Sequence, residues 1–164
     1  MKILKKENIL PAFFVVLLIL VSIPAFGYIT RRDTMTKNGI SLKNAVTAAP
    51  AGEVSARELI PFAWDQMYVF FAPASKEEIE AAMGLESGDI LPLEREGETA
   101  LYLVEDNRLI CRTGGLPEAE GFAFTPPESA GFLTVSFSDQ AVFSVAEEEG
   151  TKVFTLKGQG DSDA

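Results

Sequence analysis

The chain has no histidine and one cysteine, Cys111, set against 24 acidic and 14 basic side chains. Ser-His-Asp and Cys-His systems use an imidazole as base, so neither can be assembled. Histidine-containing zinc sites fall with them, and a single thiolate cannot build an all-cysteine cage. A serine–lysine nucleophile remains formally possible, but no Ser-x-x-Lys occurs in the chain, and Ser75-Lys76 is explained by helix capping. Gly114-Gly115 and Gly158-x-Gly160 lack the lysine and flanking pattern of a phosphate loop. Glu147-Glu148-Glu149-Gly150 reads as a solvated turn, with a weak cation site as the alternative, because the alternating acids of a calcium loop are missing. Carboxylates are what remains. A glycosidase-type pair needs two acids facing across a cleft, one of them raised by burial. Asp65 draws attention because it follows Trp64 and precedes an apolar run. Trp64 reads first as a core anchor and Asp65 as an acceptor for nearby backbone amides. We expect no catalytic residue, no metal ligand and no cofactor.

The elements that would position these residues follow from caps, turns and periodicity. Trp64–Ala72 is dense in aromatic and β-branched residues and predicts a core strand ended by Pro73. Its aromatic residues Tyr68, Phe70 and Phe71 are core first and ligand groove second. Ser75–Met83 predicts the main helix: Ser75 caps it, Glu78 closes a capping box, Ile79, Ala82 and Met83 share a face, and Gly84 stops it. Ser55–Phe62 carries a second capping-box pattern, Ser55 with Glu58, and Pro61 limits its length. Thr99–Val104 and Arg108–Arg112 predict a hairpin through Asp106-Asn107. Gly114–Glu120 reads as a loop, Gly121–Phe124 as a short apolar piece, and Thr125-Pro126-Pro127 as a break. Gly131–Phe137, Ala141–Ala146 and Thr151–Leu156 predict three further strands in meander order. The expected fold is α+β: an antiparallel sheet of about five to six strands with one main helix, following an N-terminal transmembrane or signal segment. Residues 30–54 show no sustained period and read as a linker, 55–156 as the folded domain, and 157–164 as a disordered tail.

The N-terminus sets the expected address. Ile9–Ile29 carries no charge over 21 residues, enough to cross a hydrocarbon core of roughly 30 Å at about 1.5 Å per residue. Lys2, Lys5 and Lys6 precede it, and Arg31 and Arg32 follow. The positive-inside bias therefore favours a cytoplasmic N-terminus only weakly, and an uncleaved signal anchor spanning residues 1–29 reconciles both flanks. The alternative is a signal peptide cleaved after Gly27, since Ala25-Phe26-Gly27 offers small residues where a signal peptidase reads them. Both readings put the C-terminal domain outside the cytoplasm, tethered or secreted. No cysteine lies in or just after this segment, so lipid attachment there is excluded. Cys111, in Leu109-Ile110-Cys111, reads as a buried small hydrophobe, with an intermolecular disulfide or reactive thiol as the alternative. The formal net charge is −10; residues 1–29 contribute +2, so residues 30–164 carry −12. A surface that acidic repels nucleic acid and anionic headgroups, and nucleic-acid binding is excluded on that ground.

Residues Phe62–Gly84 (FAWDQMYVFFAPASKEEIEAAMG) resemble a group of short, exported bacterial proteins that have no assigned activity. The shared pattern is a Trp-Asp pair, an aromatic strand ending in proline, and a Ser- or Thr-capped acidic helix ending in glycine. Here these are Trp64-Asp65, Tyr68, Phe70, Pro73, Ser75–Ile79 and Gly84, followed by a hairpin matched by Leu101–Ile110 and a later aromatic strand at Ala141–Val145. The likeness covers residues 62–146 and is concentrated in its first quarter. This chain has Ala74 where the group has a tyrosine. The resemblance implies an exported α+β domain and no reaction. Trp64, Asp65, Tyr68 and Pro73 are the positions expected to define the domain or a binding surface.

The function expected from all this is a membrane-tethered extracytoplasmic binding or accessory domain without catalysis, with the membrane engaged through residues 9–29 and an envelope protein as partner. Two alternatives stand beside it: a small envelope hydrolase using paired carboxylates, and an accessory subunit of a membrane complex in which the N-terminal segment does the binding.

Overall fold

The computed structural model describes residues 30–127 and 131–157. The anchor or signal segment expected at residues 1–29 lies outside the described residues, as does the tail expected at 157–164 beyond Lys157, whose N–H donates to the Val142 carbonyl at 2.9 Å. Among the described residues, no helix is long and apolar enough to cross a membrane. The chain divides into two units, Met1–Thr34 and Met35–Ala164. Of the first, residues 30–34 are described; they are helical, and the Thr34 hydroxyl donates to the Thr30 carbonyl at 3.0 Å.

The second unit is α+β, as expected, but its sheet is split in two. Within this unit residues 35–48 are helical (α1). Then come β1 (Gly52–Ser55), α2 (Ala56–Leu59), β2 (Gln66–Phe71), α3 (Lys76–Met83), β3 (Thr99–Glu105), β4 (Arg108–Gly115), α4 (Pro117–Glu120), β5 (Phe122–Phe124), β6 (Phe132–Ser136), β7 (Val142–Glu148) and β8 (Thr151–Leu156). Among the described residues there are two four-stranded sheets: sheet A, ordered β1-β7-β8-β5, and sheet B, ordered β4-β3-β2-β6. All pairs are antiparallel except β5 with β8, which run parallel. The single antiparallel sheet of five to six strands is thereby corrected. So is the meander: β7 and β8 form a hairpin, but β6 pairs with β2 in the other sheet. A single 3-10 turn, Phe137–Asp139, carries the chain from one sheet to the other.

The two sheets share one apolar core. Met67 and Val69 of β2, Leu101 and Leu103 of β3, Cys111 of β4, and Leu133 and Val135 of β6 enter it from sheet B. Phe122, Phe124, Phe143, Val145 and Phe154 enter it from sheet A. Alternation along a strand sends every second side chain to the opposite face. Accordingly Phe70, Ala100, Tyr102 and Val104 form a second core on the far side of sheet B, beneath Ile79 and Met83 of α3 and Ile90 and Leu93 of the following loop. β4 reaches both cores with residues two apart, Leu109 and Cys111, which strict alternation forbids. A register shift between Leu103 and Val104 resolves this: Leu103 pairs with Cys111 and Val104 with Leu109, leaving Ile110 as the extra residue of a bulge.

The segment expected as a linker is largely structural. Met35, Asn38, Leu42, Val46 and Ala49 recur at helical spacing. Leu42 and Val46 are fully buried in the shared core, and Met35 packs against the second one. The Asn38 side-chain amide donates to the Ile110 carbonyl at 3.0 Å, and Lys43 pairs with Glu120 at 3.0 Å, so α1 spans the β4–α4 side of the fold. The C-terminal end of the same segment supplies β1, paired with β7.

Local predictions hold closely. Both capping boxes form, Ser55 with Glu58 and Ser75 with Glu78, and Gly84 ends α3 in the left-handed region at φ 62°. Asp106 and Asn107 have φ of 49° and 56°, as a two-residue hairpin of the twist-matching type requires. Gly114 is obligatory: at φ 152°, a Cβ there would sit 2.2 Å from the Thr99 carbonyl oxygen.

Candidate functional site

The four residues singled out by sequence are strung along β2 and do not converge. Trp64, 3% exposed, lies in the shared core, and its ring meets Phe137 edge-on at 5.3 Å between centroids. Its Nε1 is buried without a hydrogen-bond partner. That costs about 1–3 kcal/mol, which burial of the ring offsets. The Arg57 guanidinium sits 4.4 Å over the Phe137 ring and donates from Nε to the Phe137 carbonyl at 2.8 Å, fixing the turn against α2. Asp65 is exposed and works as a splice. Its N–H donates to the Val104 carbonyl, its carbonyl accepts from Phe137, and its Oδ2 accepts from the Asp106 N–H at 2.7 Å. It thus ties the start of β2 to the β3–β4 turn and the end of β6. Tyr68 points to the other face of sheet B, stacked beside Phe70 at 6.3 Å. Pro73, exposed, follows a cis peptide at the far end of β2, where Ala74 bridges to Leu93.

The other reactive candidates are occupied structurally. The Ser75 hydroxyl accepts from the Glu78 N–H at 3.2 Å, and Lys76 pairs with Glu80 at 3.3 Å. The Glu78 carboxyl, accepting from the Ser75 backbone N–H, is held below its ordinary value. Burial pushes the Cys111 thiol up to about 12, so at neutral pH it is neither nucleophile nor ligand. Among the described residues, no group of three or more potential metal ligands gathers.

One concave feature of the domain is a groove of about 500 Å³ at one end of sheet A, on the face turned away from the core. Ala123 of β5 and Thr151 and Val153 of β8 supply its floor, since their neighbours Phe122, Phe124 and Phe154 point inward. Pro117 and Glu118 of α4 form one wall; Glu148, Glu149 and Gly150 of the β7–β8 turn form the other. Glu149 and Gly150, at φ 50° and 82°, make a tight two-residue turn that holds this wall up. The two lysines nearby are engaged elsewhere, Lys43 with Glu120 and Lys152 with Glu147 at 2.8 Å. The hydrogen bond from Lys152 holds the Glu147 carboxyl below its ordinary value, the reverse of what a general acid needs. The carboxylates of Glu118, Glu148 and Glu149 have no hydrogen-bond or ion-pair partner among the described residues.

The groove opens onto a wider surface. Ser144 and Ala146 of β7 lie opposite Thr155 and Val153 of β8, all facing outward, and no described helix or loop covers them as α3 and the loop beyond it cover sheet B. Sequence reasoning marked Glu147–Gly150 as a turn and residues 114–120 as a loop; it had no means of placing the two side by side. No family model, curated protein or solved structure matches the chain.

Proposed function

We propose that the chain is an extracytoplasmic, membrane-tethered binding or accessory domain without catalytic activity, and that it binds through the outward face of sheet A. The observation that carries this reading is the asymmetry of the two sheets. The central strand of sheet B, β3, is buried on both faces along Ala100–Val104, whereas the outer face of sheet A presents Ala123, Ser144, Ala146, Val153 and Thr155 without a covering layer among the described residues. Small and β-branched side chains make a flat surface that loses little side-chain entropy when a partner settles on it. The tether rests on the uncharged run Ile9–Ile29 and its basic flanks.

The test places single reporters on the full chain in cells. A cysteine at Glu149 is expected to react with a membrane-impermeant maleimide in intact cells; protection until lysis would end the extracytoplasmic assignment. Photo-reactive residues at Ala123 and Thr155 are expected to give the same discrete adduct, and one at Glu86, on the α3 side of sheet B, none. Adducts from Glu86 but not from Thr155 would move binding to the other face.

A further inference from the structure

We infer that the groove between α4 and the β7–β8 turn takes a short extended peptide segment of the partner carrying lysine or arginine toward each wall and an apolar residue between them; this rests on the docking reading above. Three features of the groove specify that occupant. Its walls carry carboxylates on both sides, Glu118 on one and Glu148 and Glu149 on the other, across a floor of Ala123, Thr151 and Val153 that is apolar at two of its three residues. The nearby cations Lys43 and Lys152 are spent on Glu120 and Glu147, so the wall carboxylates are uncompensated from within the domain. A basic ligand would supply the opposite charge these acids lack, and opposite charge also steers the encounter.

The remaining feature is shape. The volume of about 500 Å³ lies in the range of roughly 300–1,000 Å³ usual for specific small sites. It is open rather than enclosed, which suits a segment passing across it. A second copy of this domain is a poor occupant, because residues 30–164 carry −12 and two such surfaces repel.

The probe is an acetylated, amidated, fluorescein-labelled peptide, Lys-Lys-Val-Val-Lys-Lys, titrated by anisotropy against the full chain in a neutral detergent. A companion with serine for valine keeps the charge and removes the apolar centre. We expect saturable binding, weakened about fivefold in the serine peptide. It should weaken about tenfold in a Glu118→Gln, Glu148→Gln, Glu149→Gln variant. The matched control, Glu86→Gln, Glu94→Gln, Glu96→Gln, removes equal charge from the loop over sheet B and should change affinity less than twofold. Equal weakening by both triple variants, or indifference to the serine swap, would mean bulk attraction to an acidic surface and would overturn the inference. Absence of saturable binding would overturn it too. The adducts at Ala123 and Thr155 separate the two proposals. If they persist in the groove triple variant while the peptide fails, the basic-peptide inference falls and docking on sheet A stands. If they never form although the peptide binds the groove, the docking reading falls instead.

Discussion

Sheets A and B are built from strands of similar length, yet the outward faces of their central strands differ. In β3 of sheet B, the five residues Ala100–Val104 are all buried, because α3 and the loop after it cover one face while sheet A covers the other. In β7 and β8, buried Phe143, Val145 and Phe154 alternate with more exposed Ser144, Ala146, Val153 and Thr155. A continuous apolar run demands a cover on each face; an alternating strand needs only one. The comparison teaches where function can be carried. Substituting the outward residues of β3 destroys packing, so the middle of that face is committed to stability. The outward face of sheet A can change at little structural cost, and that freedom lets it serve a partner.

The sharpest way to break this contrast uses one residue type on both faces. Ala100 is 2% exposed on the outward face of sheet B, opposite Phe70. Ala100→Lys forces an ammonium beneath α3 with no acid placed to receive it. We expect a loss of at least about 4 kcal/mol, and loss of cooperative thermal unfolding in near-ultraviolet circular dichroism. A melting temperature within a few degrees of the parent would mean that α3 lifts easily and that sheet B is not the committed face.

The next largest effect concerns the cover of the shared core. Leu42 is fully buried on α1, so Leu42→Ala should cost about 2–5 kcal/mol in the same melts. A cost below about 0.5 kcal/mol would return residues 30–54 to the status of a linker.

That linker reading shows where the sequence was legible and where it was not. Features settled within a few residues were readable: the boxes at Ser55 and Ser75, the stop at Gly84 and the Asp106-Asn107 turn all depend on side chains hydrogen-bonding their own neighbours, or on φ preferences. Features decided by distant partners were not. The buried face of α1 includes Asn38, whose amide is satisfied only by the Ile110 carbonyl 72 positions away, so a hydropathy count discounts a stripe that tertiary contact completes. Phe132–Ser136 alternates much as β7 does, and nothing local says that it pairs with β2 rather than β7. The candidate groove suffers most, because Glu118 comes from a one-turn helix and Glu148 and Glu149 from a hairpin turn thirty positions later. Asp65 was legible as an acceptor of backbone amides, although the particular amide, that of Asp106, was not.

A smaller effect tests the helix that covers sheet B. Ser75→Ala removes the acceptor for the Glu78 N–H and should cost about 1 kcal/mol. Glu78 gives the pH dependence. Its carboxyl is held below the ordinary 4.5 by the Ser75 backbone N–H. A lowered value in the folded state means that the ionised form stabilises the fold above 4.5, and that this contribution is lost as pH falls through the folded value. The difference in melting temperature between parent and Glu78→Gln should therefore be present at pH 7 and fade below 4.5. A difference constant across that range would show that the carboxylate is not what holds the end of α3.

The smallest expected effect decides what the open face is for. Ala146 is exposed on β7, opposite Val153 on the outward side of sheet A. A lysine there extends into solvent, keeps the backbone ladder, and should shift stability by less than about 0.5 kcal/mol. The same change that ruins the fold at Ala100 is thus expected to be structurally silent at Ala146. If the face is a docking surface, the silence ends there. A four-carbon side chain standing on a flat surface holds a partner away from Ser144 and Thr155, so adducts from Thr155 should be lost although the melt is unchanged. Unchanged adducts together with an unchanged melt would show that this face binds nothing across its middle. A destabilised melt would show instead that the face is packed, and the contrast between the two sheets would disappear.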